Sequence, residues 1–203
     1  MPLPEQWASA EDFATLFQYI WYRDFPIGGG PRAVGALRSD WTIHTGLVVR
    51  SIEDFIGLWA RFESGQRTDA VLRSGEGDEV AVEWKWDGVW GQNELQKLKN
   101  YKVWSRNKGS KRLLRYAVLI TYTHTPNIEK VKEHVLAEWQ GAPWPLLLIL
   151  IDVEESNKFT SGKEFKELNM SLFDTVGQKN LRTAPAFPWS VESSRWRVLS
   201  PEY

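Results

Sequence analysis

No cysteine occurs anywhere in this chain. Disulfides, thiolate metal sites and cysteine nucleophiles are thereby excluded, and the absence fits an intracellular, cytoplasmic protein. Histidine is scarce as well. His44, His124 and His134 are the only three, and their spacing suits no metal-ligand motif. Long apolar runs are missing too: the longest, Leu146 to Ile151, suits a buried strand and is far too short to cross a bilayer. No membrane is therefore expected as a partner, and the opening MPLPEQWASAEDF has neither the basic start nor the apolar run of a signal peptide. Neither sign of charge is in excess. With 25 Lys and Arg against 26 Asp and Glu, the formal net charge is -1, so a polyanion would be held only by local segregation of charge. GGGPRAVG (Gly28 to Gly35) lacks the spacing and ending of a phosphate-cradling loop and reads as structural punctuation. No Ser-His-Asp arrangement or dinucleotide fingerprint is present.

What is present is a globular composition, 42% hydrophobic and 25% charged over 203 residues, enough for one domain with a real core. Twelve Trp is a heavy load, read mainly as core and interface filling, with base stacking reserved for a few. Ala10 to Arg23 reads as an amphipathic helix with Ser9 as its N-cap. Thr42 to Arg50 reads as a strand. Ser51 then opens a second helix whose apolar face is Ile52, Phe55, Ile56, Trp59 and Phe62.

After Gly65 the period changes from that of a helix to that of a strand. Asp69 to Arg73 and Glu79 to Trp86 form the arms of a hairpin around SGEGD. Gln92 to Arg106 is expected helical, Leu113 to Tyr122 a strand, Asn127 to Trp139 a helix and Pro145 to Val153 a buried strand. Strand, helix, strand spacing argues parallel strands with right-handed crossovers. Beyond Glu154 only short mixed elements are visible, with Trp196 to Leu199 as a last strand. The fold class is α/β, a mixed central sheet with helices on both faces. One domain spans 1–203: a core over about 52–153, an N-terminal helix and loop over 1–51, and a C-terminal extension over 154–203.

VAVEWKWDG (Val80 to Gly88) alternates apolar and polar residues, and so sets Glu83 and Lys85 on one face of a strand expected at the centre of the sheet. With a loop over Gly75 to Gly77, or the wider Ser74 to Asp78, opposed residues sum to 152: Asp69 faces Glu83 and Arg73 faces Glu79. A one-residue slip would swap the faces, and a two-residue slip would pair Asp69 with Lys85. Two of these three registers gather Asp69, Glu83 and Lys85. Two opposed carboxylates need a shared proton or a cation, and with oxygen donors only that cation is Mg²⁺ or Mn²⁺. An ordinary salt-bridge cluster around Lys85 is the competing account.

An aspartate, 13 intervening residues and then Glu-x-Lys at the end of a strand, followed by helix and strand, resembles the PD-(D/E)XK nuclease superfamily. The matching residues are Asp69, Glu83 and Lys85, within about Ile52 to Val153. The resemblance implies a restriction-endonuclease-like α-β-β-α-β core with additions at both ends. It implies Mg²⁺ held by Asp69, Glu83 and the carbonyl of Trp84, with Lys85 acting on the attacking water. DNA is the expected substrate; RNA cleavage and an inactive binding module are the alternatives, and a homodimer is a common arrangement in the family. Thr68 stands where the family has proline. Gln96 and Tyr101 are five apart rather than four, so the branch marked by that pair is not assigned. Glu94, Lys97 and Tyr101 share a helix face that can reach the site, as a supporting carboxylate and a phosphate-binding lysine. Glu53 is a weaker candidate ligand.

From Leu95 to Ile128 there is no Asp or Glu, against eight bases: Lys97, Lys99, Lys102, Arg106, Lys108, Lys111, Arg112 and Arg115. The preceding Ile52 to Glu94 holds ten acids and four bases. Such segregation suggests a basic ridge for a phosphate backbone, with Lys99, Lys102, Arg106, Lys108, Lys111 and Arg112 as its contacts. A solvated helix face is the plainer alternative.

Overall fold

The structure, a computed structural model, describes residues 9–25, 38–64, 68–86, 89, 93–107, 109, 112–155 and 163–188. Helix α1 (Ala10–Arg23) starts where the sequence says. Ser9 caps the Asp12 amide and the Asp12 carboxylate accepts from the Ser9 amide, a reciprocal capping box. The stretch expected as a strand and a new helix is instead one helix, α2 (Arg38–Ile56). Its β-branched run reads as strand locally, but Trp41, His44, Thr45, Val48, Val49 and Ile52 make one buried face at helical spacing. The helix ends where Gly57 takes a left-handed φ of 67°. Trp59 and Phe62, expected on the helix, therefore belong to strand β1 (Trp59–Ser64).

Strands β2 (Thr68–Ser74) and β3 (Gly77–Lys85) form the hairpin. Helix α3 (Asn93–Lys99) leads to β4 (Tyr116–His124). Helix α4 (Ile128–Trp139) follows a short 3-10 turn and leads to β5 (Leu146–Glu155). Helix α3 is about half the expected length, because Tyr101 and the Trp104 backbone turn away to bind Asp78. The last third, expected as short pieces, holds two long strands, β6 (Lys163–Phe173) and β7 (Gln178–Pro185). The Gly28 to Gly35 loop and the Trp196 to Leu199 strand lie outside the described residues.

All seven strands form one sheet in chain order, β1 to β7. The pairs β3–β4 and β4–β5 are parallel and the other four antiparallel. Parallel neighbours need a crossover, and α3 and α4 provide the two. Because β6 and β7 continue the sheet and α1 packs on it, the segments read as terminal additions share its core.

Alternation along the central strands divides the core in two. Val80, Val82, Val118, Ile120, Leu147 and Ile149 face α1 and α2, where Phe13, Phe17, Trp21, Trp41 and Phe165 fill the layer. Val71, Ala81, Leu119, Leu148 and Leu150 face α3 and α4, against Leu95, Leu98, Val131 and Val135. Trp21 reaches across its layer to donate to the Ala186 carbonyl at 2.9 Å, fastening the end of the last strand to α1. Among the described residues no helix is long and apolar enough to cross a membrane.

Candidate functional site

The hairpin register decides which side chains meet. Ala70 pairs with Val82, Val71 with Ala81 and Leu72 with Val80, each pair summing to 152. Asp69 therefore stands across from Glu83, and the Trp84 amide donates to Asp69 Oδ2 at 2.8 Å. The register shifts after Leu72, so Arg73 meets Asp78 rather than the expected Glu79. Trp84 packs on the α1–α2 side, with its ring centroid 6.3 Å from that of Phe62, and the Trp86 centroid lies 4.1 Å from that of Tyr122. Glu83 and Lys85, alternating with these tryptophans, emerge on the α3–α4 face.

Glu83 is only 1% exposed, near the carboxyl end of β3. Lys97 reaches it from α3, with Nζ 2.6 Å from Oε1, as a charge pair rather than a well-aligned hydrogen bond. Burial pushes the Glu83 carboxyl up from 4.5 to about 8; Lys97 opposes that shift, and the neighbouring Asp69 charge adds to it. Lys85 Nζ lies 2.8 Å from Glu94 Oε2, and the Thr121 hydroxyl donates to the Lys85 carbonyl at 2.8 Å. The structure thus brings together Asp69, Glu83, Lys85, Glu94 and Lys97. Tyr101 does not join them. Its hydroxyl donates to Asp78 Oδ2 at 2.9 Å, away from the pair.

Does this set suit Mg²⁺ or Mn²⁺? The donors are oxygens alone, two carboxylates on neighbouring strands, and Glu83 is held above its usual range partly by Asp69. A hard divalent cation would relieve that repulsion, and Mg²⁺ commonly uses one or two carboxylates plus substrate phosphate. Among the described residues no group of three His, Cys, Asp or Glu side chains is placed to hold a metal. The pair with the Trp84 carbonyl is the whole candidate set. Glu53 is not part of it: its carboxylate accepts from the Ala60 amide and pairs with Arg50, fastening α2 to β1.

The basic ridge needs correcting. Lys99 donates to the Glu138 and Gln140 carbonyls at 2.8 and 2.7 Å, closing the end of α4. Arg112 pairs with buried Glu79, as does Arg115, the latter at 2.9 Å. Lys97 serves Glu83. Much of the charge segregation along the chain is thus spent inside the molecule, acids of the hairpin against bases of the following segment. Lys102 and Arg106 remain exposed, and Lys108 and Lys111 lie outside the described residues.

Asp78, which sequence reasoning passed over, is the most enclosed carboxylate of this region. It is 0% exposed and accepts from Arg73, the Tyr101 hydroxyl and the Trp104 amide. This cluster clasps the loop after α3 onto the hairpin. Gly77 beside it has φ 152°, and a Cβ there would stand 2.5 Å from the Trp104 carbonyl oxygen. The signal in the sequence was SGEGD itself, in which a glycine precedes an acid with no adjacent base. No family model, curated protein or solved structure matches the chain, so the chemistry of the site is argued from its own residues.

Proposed function

We propose that this chain is a metal-dependent hydrolase of nucleic-acid phosphodiester bonds, with DNA the expected substrate. One observation carries the reading: Asp69 and Glu83, from paired strands, bear on each other beside two lysines, and Glu83 is pushed up to about 8. A bound cation would take the place of the proton that Glu83 keeps to about 8 and would favour the charged pair that burial and Asp69 oppose. Asp69, Glu83 and the Trp84 carbonyl would hold Mg²⁺ or Mn²⁺, whose charge would offset that developing on the phosphate.

The chain's own residues divide the remaining work. Lys85 extends from the end of β3, and Glu94 on α3 fixes its ammonium. From there it orients the attacking water and its hydrogen bonds. Lys97 is partly exposed and offers a second ammonium to a non-bridging phosphate oxygen once it leaves Glu83. A mixed sheet with helices on both faces, its hairpin followed by a helix and a parallel strand, is compatible with this reading.

A second reading rests on the same salt bridges. Glu83 and Glu94 each already have an ammonium partner, as expected of a binding module that retains charge pairs without chemistry. Cleavage of supercoiled plasmid, of single-stranded DNA and of RNA, in Mg²⁺, Mn²⁺ or EDTA, separates the two. Hydrolysis that needs the metal and disappears in Glu83→Gln supports the enzyme. A folded wild type that cuts none of the three supports the module.

A further inference from the structure

We infer that the face beside the β1 edge binds single-stranded nucleic acid by stacking bases on Trp59 and Trp104. The inference deepens the proposed reading by naming its substrate class, and it rests on that reading for its relation to the carboxylate pair.

Most tryptophans of the described residues are buried or half-buried, whereas Trp59 and Trp104 are 51% and 49% exposed. They come from distant parts of the sequence and meet at one residue. Trp59 lies directly across β1–β2 from Arg73, so both side chains leave the sheet on the same face. The Arg73 guanidinium sits 5.0 Å from the centroid of the Trp104 ring. Arg73 is itself fixed by the buried carboxylate of Asp78, and the Trp104 amide donates to that same carboxylate. Indole, guanidinium and indole are thus presented side by side on a fixed support.

The charge around them favours a polyanion. Arg61 on β1 and Lys102 and Arg106 in the loop are exposed, while the nearby acids Asp78 and Glu79 are buried and matched by Arg73, Arg112 and Arg115. Glu76 in the hairpin turn is an exposed acid at this end, and Glu63 is another further along β1. Cations interleaved with open aromatic faces suit unpaired bases, because every base has a face to stack, whereas a duplex hides those faces. A protein partner would also use exposed indoles, but it would not require the interleaved cations.

Position supports the assignment. Arg73 lies four residues along β2 from Asp69 on the same face, roughly 13 Å at strand spacing. That is the length of roughly two to four nucleotides. Val71, between Asp69 and Arg73, is buried beneath α3, so a strand whose bases stack at Trp59 and Trp104 would reach the carboxylate pair along the exposed β1 edge, past Arg61 and Glu63.

The test is fluorescence anisotropy in EDTA, where no metal-dependent cutting intervenes, with labelled oligothymidylate and with a duplex of equal length. Tighter binding of the single strand by tenfold or more is expected. Trp59→Ala and Trp104→Ala should each weaken it by about fivefold or more, and Trp59→Phe should keep most of it. Equal affinity for duplex, no binding of either probe, or alanine variants with unchanged melting that bind like wild type would overturn the inference. Binding without metal-dependent cleavage would support this surface and count against the hydrolase. Cleavage that survives both Trp→Ala changes, with unaltered KM for single strands, would count against this surface alone.

Discussion

Lys97 Nζ lies 2.6 Å from Oε1 of Glu83, a carboxylate that is 1% exposed and pushed up to about 8. An ammonium from the neighbouring helix therefore offsets a charge that burial and Asp69 both oppose. The unfolded chain releases the Glu83 proton near 4.5, whereas the folded chain holds it until about 8. Stability from this group is full below 4.5 and declines as pH rises toward 8.

Glu83→Gln should accordingly raise stability at pH 8 and leave it nearly unchanged near pH 4.5. The gain should be at most about 5 kcal/mol, the limit set by a shift from 4.5 to about 8 in which the opposing effect of Lys97 is already included. Urea unfolding of both proteins across that range measures it. A variant less stable than wild type at pH 8 would show the Glu83–Lys97 pair to be a net stabiliser and the carboxylate pair not to be strained.

The Lys85–Glu94 pair is partly exposed at both ends, with its atoms 2.8 Å apart. Exposed pairs contribute about 0–1 kcal/mol. Lys85→Ala should thus shift the melting temperature little, yet lower Mg²⁺-dependent cleavage by roughly 10²-fold or more if it acts on the nucleophile. Glu94→Gln should lower cleavage less, because Lys85 loses its support and not its charge. Initial rates measured beside thermal melts decide. Large destabilisation of Lys85→Ala without any activity to lose would favour the binding module.

Asp78 is expected to matter most for folding. Removing a fully buried carboxylate from Arg73, the Tyr101 hydroxyl and the Trp104 amide leaves a partly buried guanidinium and two donors unmatched. Asp78→Ala should cost about 3–5 kcal/mol, and Asp78→Asn less, since its amide oxygen still accepts. Tyr101→Phe, which removes one donor and leaves the others in place, should cost about 1 kcal/mol. Denaturant titration provides all three values.

How far these relationships were legible depends on their range. Helix α1 could be read because Ser9 and Asp12 signal within four residues, and the 152 register because glycines enclose the turn. Helix α2 could not, because Thr42, Ile43, Val48 and Val49 favour a strand locally and only packing against Trp21 and Phe165 decides otherwise. Strand β1 was hidden because Trp59 and Phe62 continue the helical spacing past Gly57, whose left-handed turn carries no apolar signal. Strands β6 and β7 are interrupted by register shifts that break their alternation. The grouping of Asp69, Glu83 and Lys85 was half legible, since two of three hairpin registers gave it and the pairing of Ala70 with Val82 selects one of them. The true partners of Glu79 were not, since Arg112 and Arg115 lie more than thirty residues away and ion pairing carries no sequence period.

His44 offers a test of the other layer. Its ring lies among Trp21, Trp41 and Phe25, with centroids 4.8, 5.0 and 6.2 Å away, and burial pushes its pKa down from 6.5 to about 4. Above 6.5 the ring is neutral in both states and contributes nothing to pH dependence. As pH falls below 6.5 the unfolded chain takes up a proton that the folded core refuses, so stability is lost until about pH 4. The loss is at most about 3 kcal/mol. His44→Leu, apolar and of similar size, should therefore be closer to wild type, or above it, at pH 4.5 than at pH 7.5. Urea unfolding at the two pH values gives the difference directly. A constant gap between the proteins at both would mean that His44 takes up its proton in the folded state, and that the aromatic layer around it admits water.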